Sequence, residues 1–276
     1  MSDTSTRSGM LWEVERILTE CKELGTMPQI LLMENVPQVH GADNVDDFNK
    51  WQLRLEELGY KNYFQDLIAT DYGIPQTRNR CFMISILGDY SYTFPKPISL
   101  KLKLKDMLED NVDEQYYLSD KQIKDIQSWN AYEKPLENME KVDKSNISPT
   151  LTTRSGAYAA GMILVKNNTK KGYLEATEGD GIDLAQPNSK TRRGRVQKNS
   201  IQTLTTQNNL GVVSDLRIRK LTPKECFRLM GVKDEDFEKC AKNQSDSSLY
   251  HLAGDSIVVN VLMAIFKELL NESEMK

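Results

Sequence analysis

An α/β fold carrying a small inserted β-rich domain is predicted by three observations. Residues 1–94 alternate helix, strand, helix, strand, loop and strand. After Phe94-Pro95-Lys96-Pro97 the chain becomes polar, loop-rich and weakly periodic as far as about Arg217. Helical patterning then returns and ends in a strongly apolar helix from Ile257 to about Leu270. The implied boundaries are 1–94, 95–216 and 217–276, the last a helical return segment packing on the first domain.

The first helix follows a turn at Thr6-Arg7-Ser8-Gly9. Leu11, Val14, Ile17 and Leu18 recur at helical spacing, and Gly25 stops it. Gln29-Ile30-Leu31-Leu32-Met33 reads as a strand buried on both faces, broken by Pro37, which lacks a ladder donor. Glu34 is thereby delivered at the strand's carboxyl end, where open α/β sheets place ligands. It caps the next turn, pairs with a nearby arginine, or works as a partly desolvated acid. Asp43-Asn44 offers a cap for a helix through Phe48, Trp51 and Leu55, ended by Gly59. Strands over Tyr63–Ala69 and Arg80–Leu87 flank a turn-rich loop, Asp71 to Asn79.

In the middle region one helix is expected from Ser119 to about Tyr132. A partial echo relates Ser148-Pro149-Thr150-Leu151-Thr152-Thr153 to Gln202-Thr203-Leu204-Thr205-Thr206. Each precedes a short apolar run, Met162–Val165 and Leu210–Val213, so two similar strand-turn-strand units are expected. Thr222-Pro223-Lys224-Glu225 is a capping box with proline at the first helical position, and Gly231 closes that helix. A helix over Asp234–Ala241 follows. Gly254-Asp255-Ser256 is expected to open the final helix and to offer N–H groups and a hydroxyl to a ligand.

No apolar run approaches the roughly 20 residues of a membrane span, and the N-terminus lacks the apolar core of a signal peptide. Cys21, Cys81, Cys226 and Cys240 are scattered and only His40 and His251 accompany them, so neither a disulfide framework nor a zinc site is expected; a reducing cytoplasm fits. Net charge is −4, which argues against a uniformly basic nucleic-acid binder. Locally the balance reverses: between Gln186 and Lys220 eight cations face the single acid Asp215. That stretch is either a solvated face or a surface for a polyanion.

Three stretches could carry chemistry together. Glu34 is a proton donor or hydrogen-bond partner. Gln76, Arg78 and Arg80 alternate, so in an extended segment they share one face, and two guanidiniums beside a carboxylate bind anions or carbonyl oxygens. Gly254-Asp255-Ser256 supplies the third.

These stretches, in this order, resemble the cytosine carbon-5 DNA methyltransferases. Met33-Glu34-Asn35-Val36 is similar to the family's Glu-Asn-Val motif, and Gln76-Thr77-Arg78-Asn79-Arg80 to its Gln-x-Arg-x-Arg motif. Arg219 to Gly231 resembles the signature that packs the small domain onto the large one. Gly254-Asp255-Ser256-Ile257-Val258-Val259 resembles the closing motif, with Asp255 where the family commonly has Asn. Arg7-Ser8-Gly9-Met10-Leu11 resembles the segment after the catalytic loop.

The resemblance implies the carboxyl-terminal part of a Rossmann-like S-adenosylmethionine-dependent domain with an inserted target-recognition domain. Its substrate would be a cytosine flipped from double-stranded DNA, its setting bacterial or phage restriction-modification. In the family a cysteine adds to carbon 6 while a Glu interacts with ring N3. Glu34 matches that Glu. Arg80 and Arg78 match the arginines that bind the base and organise the catalytic loop or a phosphate, with their division of labour open. Asp255 and Ser256 would touch the cofactor; Gln76, Arg192, Arg193, Arg195, Thr203 and Leu204 would face DNA. Gln202, Gln207 and Asn208 could read adenine edges.

The chain departs from the family at two points: no Phe-x-Gly-x-Gly loop and no Pro-Cys dipeptide occur in it. The expectation is therefore a half-site whose cofactor pocket is incomplete, inactive alone and completed by an amino-terminal methyltransferase polypeptide. The first strand would then expose an edge. Two other readings are a DNA-binding remnant without activity and a transfer-RNA methyltransferase of the same family, which the long middle region disfavours.

Overall fold

The computed structural model describes residues 9–126, 163–215 and 217–273. These form two compact units. One comprises the described residues up to Asp71, Asn79–Ile98 and those from Val261 on; the other comprises Tyr72–Arg78 and the described part of Ser99–Asn260. The division differs from the expected boundaries. Residues 217–260 group with the second unit rather than with the first, because Arg217–Lys220 pairs with Leu210–Ser214 as a strand.

In the first unit, helix α1 (Gly9–Glu23) precedes strand β1 (Ile30–Asn35), and helix α2 (Val45–Leu58) precedes β2 (Tyr60–Ile68) and β3 (Asn79–Leu87). The sheet order is β1-β3-β2 with β3 antiparallel to both neighbours. The expected strand was right in place but not in burial. No residue of β1 is buried and Ile30 is exposed, because β1 pairs on one side only among the described residues. Glu34 lies within the strand, one residue before its end.

Gly59 ends α2 at φ 103°, a left-handed cap that costs glycine least. Asn44 stands before α2 without capping it; its side chain donates to the Gln38 carbonyl at 2.9 Å.

Register decides which side chains share a face, since residues directly opposite across a ladder point the same way. Met33 lies opposite Met83, and Met83 opposite Phe64; Asn35 lies opposite Cys81, and Cys81 opposite Asp66. This face packs on α1 and α2 through Leu18, Phe48, Trp51, Leu55 and Met83. Glu34, Arg80 and Phe82 alternate with those positions and therefore occupy the other face. There Tyr63 meets Tyr92, whose hydroxyl lies 3.5 Å from the Ile265 carbonyl of helix α7 (Val259–Ser273). Val261, Ile265 and Leu269 of α7 are buried while Met263, Phe266 and Leu270 are exposed.

The first α-helix described in the second unit is α3 (Asp120–Ile126); the rest of the helix expected to Tyr132 lies outside the described residues. Strands β4 (Ile163–Lys166) and β5 (Tyr173–Ala176) form a two-stranded sheet. Strands β6 (Gly181–Asp183), β7 (Val196–Gln197), β8 (Leu210–Ser214) and β9 (Arg217–Lys220) form a second, ordered β7-β6-β8-β9. The echo in sequence thus yields unlike surroundings: among the described residues β4 has one partner, whereas β8 lies between two. Of the two threonine-rich runs, Ser148–Thr153 lies outside the described residues and Gln202–Thr206 is a loop.

Helices α4 (Pro223–Arg228), α5 (Asp234–Ala241) and α6 (Asp246–Asp255) follow. The capping box forms as expected, with Thr222 accepting from Glu225 N and Glu225 accepting from Thr222 N at 2.8 Å. An 18-residue window within Asp246–Leu270 is apolar on average, at mean hydropathy 1.6, but the span is not one helix, since Ser256–Val258 separates α6 from α7.

The end of α6 permits one stability prediction. A Cβ on Gly254 would fall 2.4 Å from the Thr205 carbonyl carbon and 2.5 Å from Thr206 N, both backbone atoms. Gly254→Ala should therefore destabilise the second unit by about 1–3 kcal/mol, read as a lower urea midpoint. An unchanged midpoint would mean that the 205–206 loop yields freely.

Candidate active site and nucleic-acid surface

In the first unit Arg80 Nε lies 3.1 Å from Glu34 Oε1, and both side chains are about one-fifth exposed, 19% and 21%. Arg80 Nη1 donates to the Asn79 carbonyl at 2.8 Å. The sheet explains the meeting: Glu34 opposes Phe82 on β3, so Arg80 is the nearest same-face residue diagonal to it. A carboxyl and a guanidinium held side by side, with part of each open to solvent, can hydrogen-bond a planar heterocycle's ring nitrogen and carbonyl oxygen.

Arg78 does something else. Its Nη1 donates to the carbonyls of Leu204 (3.1 Å) and Gly254 (3.2 Å), and its Nη2 to that of Ser256 (3.0 Å). Two of these three carbonyls lie at the C-terminal end of α6, where helices leave acceptors unsatisfied and favour a cation. Gln76, fully buried, donates to the Leu229 carbonyl at 2.7 Å and accepts from Leu204 N at 3.1 Å. Thr203 Oγ1 lies 3.4 Å from the Thr77 carbonyl. Gln76, Arg78, Thr203, Leu204 and Ser256 are thus brought together, but as a staple within the second unit. Gln76, expected to face DNA, is a buried positioning residue, and of the anions or carbonyl oxygens expected for Arg78 the structure shows carbonyl oxygens, two of them at a helix end. Leu204, buried at 4% exposure, belongs to the same staple.

The Gly254-Asp255-Ser256 expectation is also corrected. These residues close α6 instead of opening a helix; Ser256 N donates to the Leu252 carbonyl and Ser256 Oγ to that of Ala253. Asp255 is exposed and lies 3.2 Å from His251 Nδ1. The N–H and hydroxyl of Ser256 both donate within the helix end and its carbonyl accepts from Arg78, so its donors are already engaged.

The basic stretch is less basic in space than in sequence. Arg195 is 1% exposed and donates to the carbonyls of Asp183, Ala185 and Gln186, and burial lowers its pKa. It is corrected from a DNA contact to an interior residue. Arg192 pairs with Asp183 at 2.6 Å, Lys198 with Asp180 at 2.6 Å, and Arg217 with Glu114. Arg219 is buried against Glu225. Arg193 remains exposed, donating only to the Asn168 carbonyl among the described contacts, and Lys190 is exposed as well. An open concavity of about 550 Å³ is lined by Thr206, Gln207, Asn208, Ser247, Tyr250 and His251. Gln207 and Asn208 were legible in the sequence; Ser247, Tyr250 and His251 carried no signal there. Gln202 donates inward, to the carbonyls of Gly194 and Arg195.

Two of the four thiols are held protonated. Burial, reinforced by Asp66 and Glu34, pushes the Cys81 thiol up to about 12, and burial pushes Cys226 up as well. Cys21 is half-buried on α1 and Cys240 is exposed on α5. At pH 8 a thiol of pKa 12 is about one part in ten thousand thiolate. Brief alkylation of the native protein should label Cys240 and spare Cys81 and Cys226 by mass spectrometry. Fast labelling of Cys81 would contradict this ordering.

Comparison with known proteins bears on the whole chain. The family described as C-5 cytosine-specific DNA methylase matches residues 2–271. The Type II methyltransferase M2.ScrFI of Lactococcus lactis subsp. cremoris is 36% identical over 274 residues, 98% of this chain and 60% of that protein. The orphan methyltransferase M.SssI of Spiroplasma monobiae is 29% identical over 268 residues, 96% of this chain and 59% of that one. The chain thus spans about three-fifths of the length of these relatives. Among solved structures, the Dnmt2 methyltransferase of S. pombe matches with TM-score 0.56 at 17% identity, over 99% of this chain and 74% of its own. The Entamoeba histolytica methyltransferase EhMeth matches with TM-score 0.55 at 16% identity, over 96% and 69%. Both likenesses concern the fold, a mixed α/β methyltransferase fold.

Proposed function

Since the chain belongs to the C-5 cytosine-specific DNA methylase family, over residues 2–271, we propose that it carries the base-activating and sequence-reading part of a DNA cytosine carbon-5 methyltransferase. The observation that carries this reading is the Glu34–Arg80 pair at the end of the β1-β3 ladder. With a cytosine flipped out of the duplex, Glu34 holds the proton at ring N3 and Arg80 bonds the neighbouring carbonyl oxygen. Negative charge developing on the ring as a thiolate adds to carbon 6 is thereby drawn off. S-adenosylmethionine, the donor this family's chemistry implies, supplies the methyl group when bound.

The thiolate comes from outside these 276 residues, in the same polypeptide or in a separate one. Support for that part of the reading is twofold. Burial holds Cys81 and Cys226 protonated, and among the described residues β1 of the first unit is paired on one side only, in a unit that also exposes Val14, Ile17, Ile30, Met263, Phe266 and Leu270. An unpaired strand edge with exposed apolar residues favours packing against further chain.

The second unit serves as the target-recognition domain. Gln207 and Asn208 at the concavity present amides to base edges, while Arg193 and Lys190 meet phosphate. Arg192 shares its guanidinium between Asp183 and solvent. Protection of DNA from restriction is the setting that fits.

The test is to co-express the chain with a family segment bearing the Phe-x-Gly-x-Gly loop and Pro-Cys, fused or separate, and to map methylcytosine in the host DNA. Methylcytosine at a defined sequence, requiring both segments, is expected. Site-specific DNA binding with no methylcytosine in any combination would favour a binding module and overturn the proposal.

A further inference from the structure

On the sheet face opposite Glu34 and Arg80, three potential metal ligands converge from three elements. His40 ends a short 3-10 turn, Pro37–His40, that follows β1 directly. Asp66 stands near the end of β2, and Cys81 near the start of β3 directly opposite it. His40 Nε2 lies 2.9 Å from Asp66 Oδ1, and the ligand atoms of His40, Asp66 and Cys81 all lie within 4.8 Å of one another.

We propose that His40 Nε2, the Asp66 carboxylate and the Cys81 sulfur form a zinc site whose fourth ligand is water. The donor set is the main argument. One imidazole, one carboxylate and one thiolate match Zn²⁺, whereas Mg²⁺ and Ca²⁺ call for oxygen alone. Geometry is the second. Around a tetrahedral ion with bonds of about 2.0–2.3 Å, ligand atoms sit roughly 3.3–3.8 Å apart. The cluster straddles that spacing, and closing it asks only for side-chain adjustment.

The surroundings favour such an adjustment without loosening the site. Cys81 is fully buried and fixed by its strand, whereas the His40 and Asp66 side chains are 30% and 32% exposed and can turn. The His40 ring lies among aromatic neighbours, its centroid 5.6 Å from that of Phe64 and 6.1 Å from that of Phe48. The same partial exposure gives the ion its entry path and leaves room for the water. On binding, the Cys81 S–H bond breaks, its proton leaves to solvent, and the sulfur lone pair goes to zinc; nothing is oxidised or reduced. The ion would tie the Pro37–His40 turn to β2 and β3 immediately behind Glu34 and Arg80. This inference is independent of the proposed activity, because the cluster and the Glu34–Arg80 pair lie on opposite faces.

The experiment is titration of the metal-free full chain with Co²⁺, followed by Zn²⁺. One equivalent of Co²⁺ should give tetrahedral d–d bands and a sulfur-to-cobalt charge-transfer band, bleached by one equivalent of Zn²⁺. Cys81→Ser should abolish the charge-transfer band. His40→Gln and Asp66→Asn, at half-exposed positions that tolerate substitution, should weaken Co²⁺ binding roughly 100-fold or more with far-ultraviolet circular dichroism unchanged. Absence of the bands in the wild-type chain would overturn the proposal. So would bands that persist in Cys81→Ser, which would assign them to another thiol, or affinity unaltered in His40→Gln.

Discussion

Replacing Glu34 with glutamine is expected to lower the methyl-transfer rate of the completed enzyme by about 10²–10³-fold. Glutamine keeps the size of the side chain and a hydrogen bond to the base, but its amide cannot hold a transferable proton or a charge at ring N3. The loss should fall on kcat, with DNA affinity within about twofold of wild type, because Glu34 acts on the transition state rather than on binding. Single-turnover transfer of a labelled methyl group separates the two quantities. Near wild-type rates would remove Glu34 from the chemistry and with it the proposed function. An equal loss of DNA affinity would recast the residue as structural.

The second large effect concerns the interior of the second unit. Arg219 and Glu225 are 1% and 0% exposed and meet through two hydrogen bonds, 2.8 and 2.7 Å. Glu225 also accepts from the backbone N–H groups of Thr222 and Glu109, so its carboxylate is fully coordinated only while Arg219 stays. Arg219→Met strands that carboxylate in the interior and should cost about 3–5 kcal/mol. Glu225→Gln, which retains two acceptor contacts on one oxygen, should cost less. Equilibrium urea unfolding of each variant gives the comparison. If Arg219→Met shifts the midpoint no further than Glu225→Gln, the buried charge is satisfied in some other way.

The local rules of helices and turns made much of the fold legible in the sequence. The Thr222 capping box, the Gly59 stop and the Asp234–Ala241 helix each depend on neighbours in the chain, and each stands where the residues put it. What could not be read was who lies beside whom. Ile30 to Met33 look like a buried strand by composition, yet burial depends on neighbouring strands, and among the described residues β1 has one. The charge of Arg195 predicts exposure, but three carbonyls from residues 183–186 enclose its guanidinium. The alternation of Gln76, Arg78 and Arg80 was legible as a pattern, but the partner of each side chain was not. Gln76 and Arg78 belong to the second unit and bond Leu229, Leu204, Gly254 and Ser256, whereas Arg80 lies on β3 of the first unit beside Glu34. His40, Asp66 and Cys81 were invisible for the same reason, since their proximity is created by strand register and a turn.

The crossing from one unit to the other between Arg78 and Asn79 sets the rule for building chimaeras. A second unit cut from a relative at Ser99, just past the composition change, and at Asn260 would leave residues 72–78 of the host behind. Gln76 and Arg78 would then have to clasp a foreign loop and a foreign helix end through Leu204, Leu229, Gly254 and Ser256. Their donors meet main-chain carbonyls, so the clasp depends on backbone path more than on side-chain identity. The transplantable piece is accordingly discontinuous. It consists of Tyr72–Arg78 together with Ser99–Asn260, and grafts should move both or neither.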